Sequence, residues 1–314
     1  MRVVVVGAGA IGGFIAGALA HAGVPTSVVA RGAHLEAIRE RGLHVQGDLG
    51  DFTAHVDAAG DLRELPPGDV LLLTFKAHQW PAFLEQLAPY AGSCVPIVTL
   101  QNGVPFWFAR TPPLQSVDPG GRIGAMFGDA QIIGGVVHVS GNVAEPGRIV
   151  QSGGLRYLLG EASGRNGERL HALAEVFRSA RLQAEIDPDL RRSLWFKLVG
   201  NASLNPVSAA TGMSIGAMMR DAPTLARVRA LMLEVLAVGR ALGLVADVER
   251  EADARIAYAS RLDDVKTSML QDVQAGRSLE LDPILGATIE LAERCGVEVP
   301  HLREIDTQLR APVA

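Results

Sequence analysis

The sequence predicts an α/β protein in which a parallel-sheet domain is followed by an all-α domain. Up to about residue 186, short apolar runs rich in valine, leucine and isoleucine alternate with segments of helical pattern. Such alternation indicates strands joined by helices, as in a parallel sheet. After Asp187-Pro188 the pattern is helical apart from turns. Because 314 residues suffice for two domains, we predict a first domain at 1–186 and a second at 187–314.

The first predicted element is a strand that leads directly into a glycine-rich turn. Met1 to Val6 is an apolar run with four consecutive valines, which suits a strand buried on both faces of a sheet. The turn and helix start that follow are Gly7, Ala8, Gly9, Ala10, Ile11 and Gly12. In this motif Gly7 allows a tight turn, Gly9 lets a pyrophosphate approach the backbone, and Gly12 packs the helix on the strand. The stretch predicts a Rossmann-like dinucleotide site at a helix N-terminus, with a ligand-free glycine turn as the alternative.

The residue at the end of the second strand bears on which dinucleotide binds. This strand is predicted from Thr26 to Ala30, and Arg31 follows it. NAD sites usually place an acidic residue there, about 20 residues past the glycines, to accept hydrogen bonds from the ribose hydroxyls. A guanidinium instead suits the 2′-phosphate of NADP(H), and no acidic residue occurs before Glu36. We therefore predict NADP(H), although Arg31 as a solvated loop residue is the alternative.

Two further strands of the first domain end in polar residues. After Arg31, helices are predicted at 33–41, 80–87 and 166–181, and strands at 69–74 and 97–100. Short polar strands or a hairpin are predicted at 43–57, and a strand with a hairpin at 131–160. Lys76 and Gln79 follow the strand at 69–74, and Asn102 follows the strand at 97–100. Ligands of open α/β sheets bind outside the carboxyl ends of the strands, so Lys76 and Asn102 are candidates for that edge. The alternatives are a surface lysine and an ordinary Asn-Gly turn.

Composition excludes several classes of protein. With 48% hydrophobic residues the chain can bury substantial cores and is not disordered, and a net charge of −5 provides no basic surface for nucleic acid or anionic membranes. Glycines interrupt the N-terminal apolar run, which argues against a signal peptide, and no apolar stretch is long enough to span a bilayer. The two cysteines, Cys94 and Cys295, show no metal or redox spacing. We expect a cytoplasmic protein without a metal site.

The second domain is dominated by one helix with a row of polar residues. Arg191 to Ala209 reads as a helix in which Lys197, Asn201 and Asn205 are spaced by four. Residues at this spacing lie on one helix face, and the flanking leucines predict that the helix is largely buried. Long polar side chains on a buried helix need partners. They either satisfy one another and nearby carbonyls or line a polar cleft, and we favour the cleft.

A second group of candidate residues lies near the end of the chain. Ser268 belongs to the stretch Thr267 to Asp272, and Glu280 shortly precedes Asp282-Pro283. Asp282 and Pro283 predict a helix start, as N-cap and first helical residue. Glu280 would then sit on a rigid piece of backbone, and the alternative is one more surface carboxylate.

Taken together, these motifs resemble the ketopantoate reductase (2-dehydropantoate 2-reductase) family. The resemblance runs from the first residue to about Pro300 and is carried, in order, by Gly7 to Gly12, Lys76 to Gln79, Gln101-Asn102-Gly103, Lys197 with Asn201 and Asn205-Pro206, and Ser268 to Asp272 with Glu280. It implies an N-terminal Rossmann domain, an all-helical C-terminal domain and an active site in the cleft between them. It also implies that NADPH reduces the C2 ketone of a 2-oxo acid by a stereospecific hydride transfer.

Each candidate residue acquires a role from this resemblance. Lys197 would be the acid and Glu280 a substrate-binding and orienting carboxylate. The resemblance places Asn102 near the nicotinamide and the ketone, the substrate on Asn201, Asn205 and Ser268, and the cofactor on the glycine motif, Arg31, Lys76 and Gln79. The chemistry agrees, since hydride arrival at C2 leaves negative charge on oxygen that a cation or proton donor must neutralise.

Two positions depart from the family pattern, and they keep the substrate open. The residue three before Ser268, a substrate-contacting Asn in well-known members, is Val265, and another Asn position of the family holds Ile215. The first hypothesis is the reduction of ketopantoate to (R)-pantoate for pantothenate and coenzyme A biosynthesis. The second is the reduction of another 2-oxo or 3-oxo acid. The third, an NADP(H)-binding regulator, is disfavoured by the presence of Lys197 and Glu280. The protein could form a homodimer, which the sequence does not decide.

Overall fold

The computed structural model describes residues 1–311 and divides the chain into two compact units. The first, the sheet unit, consists of Met1–Gln101 and Arg122–Leu190, and the second, the helical unit, combines Asn102–Gly121 with the chain from Arg191 onward. Both units are of the predicted kinds. The prediction of 1–186 and 187–314 differs from them in two ways: the later division lies at 190/191, and the segment 102–121 belongs to the helical unit.

The side chains of segment 102–121 explain why it belongs to the helical unit. Phe106, Trp107 and Phe108 are buried, and the ring of Phe108 stacks on Trp195 at a centroid distance of 5.8 Å. Burial of aromatic rings is strongly favourable and decides where a flexible segment docks. Since this contact joins residues far apart in sequence, no local pattern indicates it.

Ten strands form one sheet in the sheet unit. They are β1 (Val3–Val6), β2 (Thr26–Val29), β3 (Leu43–Gly47), β4 (Gly50–Ala54), β5 (Asp57–Ala59), β6 (Val70–Leu73), β7 (Ile97–Thr99), β8 (Ile132–Glu145), β9 (Arg148–Glu161) and β10 (Gln183–Ile186). The order is β4-β3-β9-β8-β7-β6-β1-β2-β5, and β10 pairs with β9. The α-helices of the sheet unit are α1 (Ala10–His21), α2 (Gly32–Arg41), α3 (Trp80–Leu87), α4 (Arg122–Met126) and α5 (Glu168–Ser179).

The predicted strands of the sheet unit are confirmed, and β5 and β10 are additions to them. All four residues of β1 are buried, and β1 pairs in parallel with both β2 and β6, as expected of a central strand. The antiparallel hairpin of β8 and β9 extends the sheet beyond β7. The strand β10 was not predicted. Its four residues are too few to show a reliable period, and pairing with β9 makes them a strand.

The helical unit is built around α6 (Leu190–Thr211), the predicted polar-striped helix. The others are α7 (Ile215–Arg220), α8 (Ala222–Ala241), α9 (Val248–Ala259), α10 (Ser268–Gln274), α11 (Ala287–Cys295) and α12 (Pro300–Arg310). The fully buried Trp195 anchors α6 to α8, and its indole N–H donates to the carbonyl of Val235 at 3.2 Å. A side chain at Gly239 would overlap this indole, so the glycine permits the close contact. No helix within residues 1–311 is long and apolar enough to cross a membrane.

Candidate active site and dinucleotide-binding loop

The glycine-rich loop between β1 and α1 has the backbone geometry that a pyrophosphate requires. Gly7 has φ +106°, and a Cβ there would lie 2.9 Å from the backbone nitrogen of Phe75. Gly12 is buried beneath the loop, where a Cβ would overlap the carbonyl of Gly7 and the hydroxyl of Thr74. Gly9 precedes α1 without a side-chain cap, and nothing lies within 4 Å of the Cβ it lacks. The loop is therefore held close to β6 while the helix N-terminus stays accessible, which fits a bound dinucleotide.

Arg31 stands where β2 ends and α2 begins. It is exposed, and its guanidinium carbon lies 4.7 Å from the ring centroid of Phe83. A guanidinium stacked on a ring keeps its N–H donors in the guanidinium plane, available for a phosphate. Within residues 1–311 no carboxylate forms an ion pair with Arg31. This environment fits a 2′-phosphate, whereas the hydroxyl pair of NAD would require an acceptor.

The loop that follows β6 is ordered by its own side chains. The amide N–H of Lys76 donates to Oε1 of Gln79 at 3.0 Å, so the oxygen of Gln79 closes the turn. Gln101 donates to the carbonyl of Phe75 at 2.8 Å and accepts from the indole of Trp80 at 3.2 Å. Because β6 and β7 are parallel neighbours, Lys76 and Gln101 both lie at the carboxyl edge of the sheet.

Lys197, Asn102 and Glu280 come together in the helical unit. The ammonium of Lys197 on α6 donates to Oδ1 of Asn102 at 2.9 Å, and the amide nitrogen of Asn102 donates to Oε2 of Glu280 at 3.3 Å. The amide of Asn102 thus bridges the cation and the anion. Such a bridge orients the ammonium and keeps both charges solvated by protein groups.

The pKa of Lys197 is lowered to about 8. Burial is the larger cause, because desolvation disfavours the ammonium form, and the negative charge of Glu280 opposes it. Desolvation therefore outweighs the effect of Glu280 on the pKa of Lys197. A lysine with this pKa is mostly protonated at neutral pH, yet it donates its proton more readily than an ordinary lysine.

Backbone contacts place Asn102 beside Glu280. The N–H of Val104 donates to the carbonyl of Pro283 at 2.7 Å, and Gly103, with φ +82°, packs so closely on Pro283 that a Cβ would collide with it. Farther along the same segment, the carboxylate of Glu290 on α11 accepts the backbone N–H groups of Gln115 and Ser116, each at 3.0 Å. Both ends of segment 102–121 are thereby tied to the elements that follow Glu280.

The remaining substrate-site candidates lie on α6 and α10. Asn205 is only 8% exposed and Asn201 is half-buried, and within residues 1–311 neither side-chain amide forms a hydrogen bond. The amide atoms of both side chains are accessible rather than fully buried, so a bound group can contact them. Ser268 is exposed in the first turn of α10, whose N-cap is Thr267. Of the two departures, Val265 is 48% exposed and Ile215 is buried, and their backbones are hydrogen-bonded at 2.9 Å.

A helical segment begins at Asp282-Pro283 as predicted, but the predicted N-cap role of Asp282 is wrong. Asp282 does not cap a helix, since it lies inside a π-helical turn, Asp282–Gly286, and its carboxylate pairs with Arg310 at 2.7 Å. The helix α11 begins only at Ala287. The π turn lies where Pro283 packs on Gly103, and the carboxylate of Asp282 pairs with Arg310 instead of capping the helix. Glu280 still precedes a helical segment, as predicted.

Two positioning residues, Thr74 and Gln101, received no role in the sequence analysis. The hydroxyl of Thr74 donates to the carbonyl of Gly7 at 2.6 Å, and Gln101 holds the loop after β6 through Phe75. Both are polar residues at the carboxyl end of an apolar strand, the same signal that singled out Lys76 and Asn102. Extending that rule to every polar residue at a strand end would have found them.

Comparison with known proteins places the chain in a family. The family model described as ketopantoate reductase PanE/ApbA matches residues 3–164, and its C-terminal counterpart matches residues 189–312. A 2-dehydropantoate 2-reductase of Mesorhizobium japonicum is 42% identical over 310 residues, covering 96% of this chain and 94% of the relative. Among solved structures, the 2-dehydropantoate 2-reductase from Geobacter metallireducens is similar with a TM-score of 0.88 at 30% identity, covering 98% of this chain and 99% of that one. The enzyme of the same name from Methylococcus capsulatus has a TM-score of 0.84 at 28% identity, covering 99% and 96%.

The two family models together match most of the chain, and the Mesorhizobium relative is 42% identical. The glycine loop of the sheet unit and the cluster of Lys197, Asn102 and Glu280 in the helical unit are consistent with this family. The chain therefore belongs to the ketopantoate reductase family of oxidoreductases.

Proposed function

We propose that the protein catalyses the NADPH-dependent reduction of the C2 ketone of 2-dehydropantoate to (R)-pantoate. The observation that carries the proposal is the hydrogen-bonded series of Lys197, Asn102 and Glu280, with a lysine whose pKa is about 8. Relatives named 2-dehydropantoate 2-reductase support the substrate. The product would feed the synthesis of pantothenate and coenzyme A, which we place in the cytoplasm.

The side chains of the helical unit would stabilise the negative charge that develops on the substrate oxygen. Bound NADPH would supply the hydride. The ammonium of Lys197 would hydrogen-bond the ketone and transfer a proton to its oxygen, and Asn102 would keep the ammonium in a fixed direction. The unpartnered amides of Asn201 and Asn205, with the hydroxyl of Ser268, would bind the polar groups of the acid. A preorganised donor of this kind is worth several kcal/mol in the transition state, about 3–4 by analogy with oxyanion holes.

The direct test is a spectrophotometric screen of NADPH oxidation with a panel of 2-oxo acids, ketopantoate included. We expect ketopantoate to have the highest kcat/KM. If another acid is a distinctly better substrate, it replaces ketopantoate in the proposal, and the proposed reductase activity stands. If no 2-oxo or 3-oxo acid supports oxidation, the proposal of a reductase is refuted and a binding protein takes its place.

Arg31 is expected to determine the preference for NADPH over NADH. Arg31→Ala should weaken NADPH binding about ten- to a hundredfold and leave NADH binding nearly unchanged, since hydrogen bonds to charged groups contribute about 1.5–3 kcal/mol. Fluorescence titration of each nucleotide measures the effect. Arg41→Ala, at the exposed far end of α2, is the matched control and should leave the preference intact. Equal affinities for the two nucleotides in the unmodified protein would exclude NADP specificity.

The departure at Val265 favours the alternative that another 2-oxo acid is the substrate. If the missing amide binds the terminal hydroxyl of ketopantoate, Val265→Asn should raise kcat/KM for ketopantoate relative to 2-oxoisovalerate by up to about tenfold, or about 1.4 kcal/mol. Half exposure of Val265 moderates the expected gain, because water can replace the amide. The measurement is kcat/KM for both acids in both proteins. An unchanged ratio would mean that position 265 does not contact the substrate.

A further inference from the structure

His34 connects the dinucleotide loop to two other elements of the sheet unit. It lies in the first turn of α2, and its Nε2 is 2.7 Å from the carbonyl oxygen of Ala8 in the glycine loop. On the other side of the ring, Nδ1 accepts the N–H of Gly147 at 2.9 Å. Because Nδ1 is an acceptor, the single proton of the neutral imidazole must be on Nε2, where it donates to Ala8. One tautomer of one protonation state satisfies both contacts.

The partner of Nδ1 cannot easily move away. Gly147 forms the turn between β8 and β9 with φ +82°, and its own carbonyl accepts the N–H of His44 at 2.8 Å. A Cβ on Gly147 would lie 3.0 Å from Ala37, so the turn packs directly against α2. The imidazole therefore links the rigid turn between β8 and β9 to Ala8, which is the neighbour of the exposed Gly9.

Charged groups near the ring do not stabilise its protonated form. In the hairpin, Glu145 pairs with Arg148, and on α2, Glu36 pairs with Arg39. The glycine loop carries no charge, and Arg31 is a cation at the start of α2. Burial lowers the pKa of His34, opposed only by the carbonyl of Ala8. The neutral imidazole is therefore the form of His34 that stabilises the ordered glycine loop.

We propose that neutral His34 is a positioning residue for the dinucleotide loop, and that its protonation releases the loop and weakens NADP(H) binding. A proton on Nδ1 would face the N–H of Gly147, donor against donor, and one of the two contacts would break. Since the ordinary pKa of histidine is about 6.5 and burial lowers it here, the affinity is lost as pH falls below about 6.5. The inference rests on the proposed cofactor but not on the proposed substrate.

The test compares the unmodified protein with His34→Ala, His34→Asn and the control His171→Ala, an exposed histidine on α5. Dissociation constants for NADPH are measured from about pH 5.5 to about pH 8. The 2′-phosphate titrates equally in every protein, so the ratio of the variant constant to the unmodified one isolates His34. We expect a ratio of about ten for His34→Ala at high pH, approaching one at low pH. The shorter His34→Asn can retain the acceptor for Gly147 and should lie between these values without its own titration.

A second readout does not require any nucleotide. Hydrogen exchange of the peptide containing Gly7 to Gly12, measured in the unliganded protein, should accelerate in His34→Ala and not in His171→Ala. A ratio that is constant across pH, or unchanged exchange in this peptide, would overturn the inference. If both effects are observed but the protein reduces no 2-oxo acid, the inference about His34 stands and only the proposed function is refuted.

Discussion

Replacing Lys197 with alanine is expected to lower kcat about a thousandfold while leaving NADPH binding nearly intact. The ammonium donates to Asn102 and has a pKa of about 8, which are the properties that a proton donor and cation would need in the proposed reduction. General acid catalysis contributes about 10²–10⁴-fold, and losing it affects the transition state rather than nucleotide binding. Steady-state kinetics and a fluorescence titration with NADPH separate the two quantities.

Two further variants at this position separate charge from proton transfer. Lys197→Met preserves the length and packing of the side chain, and it should be as inactive as the alanine variant if packing is not the cause. Lys197→Arg retains the positive charge but holds its proton at any working pH, so it should recover only part of kcat. A Lys197→Met protein with most of its original kcat would remove Lys197 from the proposed chemistry.

Glu280→Gln is expected to raise KM and to shift the pH dependence of kcat toward lower pH. The carboxylate of Glu280 favours the ammonium form of Lys197 and opposes the larger effect of burial. Without this negative charge, the pKa of Lys197 should fall below about 8. The protonated donor is then lost at a lower pH, and the alkaline decline of kcat begins earlier. The glutamine oxygen can still accept the N–H of Asn102, so the change is mainly electrostatic.

The profile of kcat against pH distinguishes this effect from a simple loss of structure. A damaged fold would lower kcat at every pH without moving the alkaline limb. Glu298→Gln removes an exposed carboxylate beyond α11 and serves as the matched control, with an unchanged profile expected. If the limb stays in place in Glu280→Gln, then Glu280 does not set the protonation of Lys197 in the working enzyme.

Local sequence patterns determined the first strand, turn and helix of the sheet unit. The valines of β1, the glycines that follow and the small residues of α1 specify a strand, a tight turn and a close-packed helix within a few residues of one another. Arg31 could be identified from its distance to Gly12, and Lys197, Asn201 and Asn205 from their helical spacing. In each case the physical determinant is periodicity or turn chemistry, which acts over less than about 20 residues.

The assembly of the candidate active site was decided only by the tertiary structure. Asn102 is 95 residues from Lys197 and 178 from Glu280, and it reaches them because the aromatic segment after it packs in the helical unit. The lowered pKa of Lys197 depends on burial, and both the packing of Pro283 against Gly103 and the pairing of Asp282 with Arg310 join residues distant in sequence. Desolvation and side-chain packing are sums over residues distant in sequence. The sequence therefore indicated the candidate residues, and the tertiary structure decided their contacts and the pKa of Lys197.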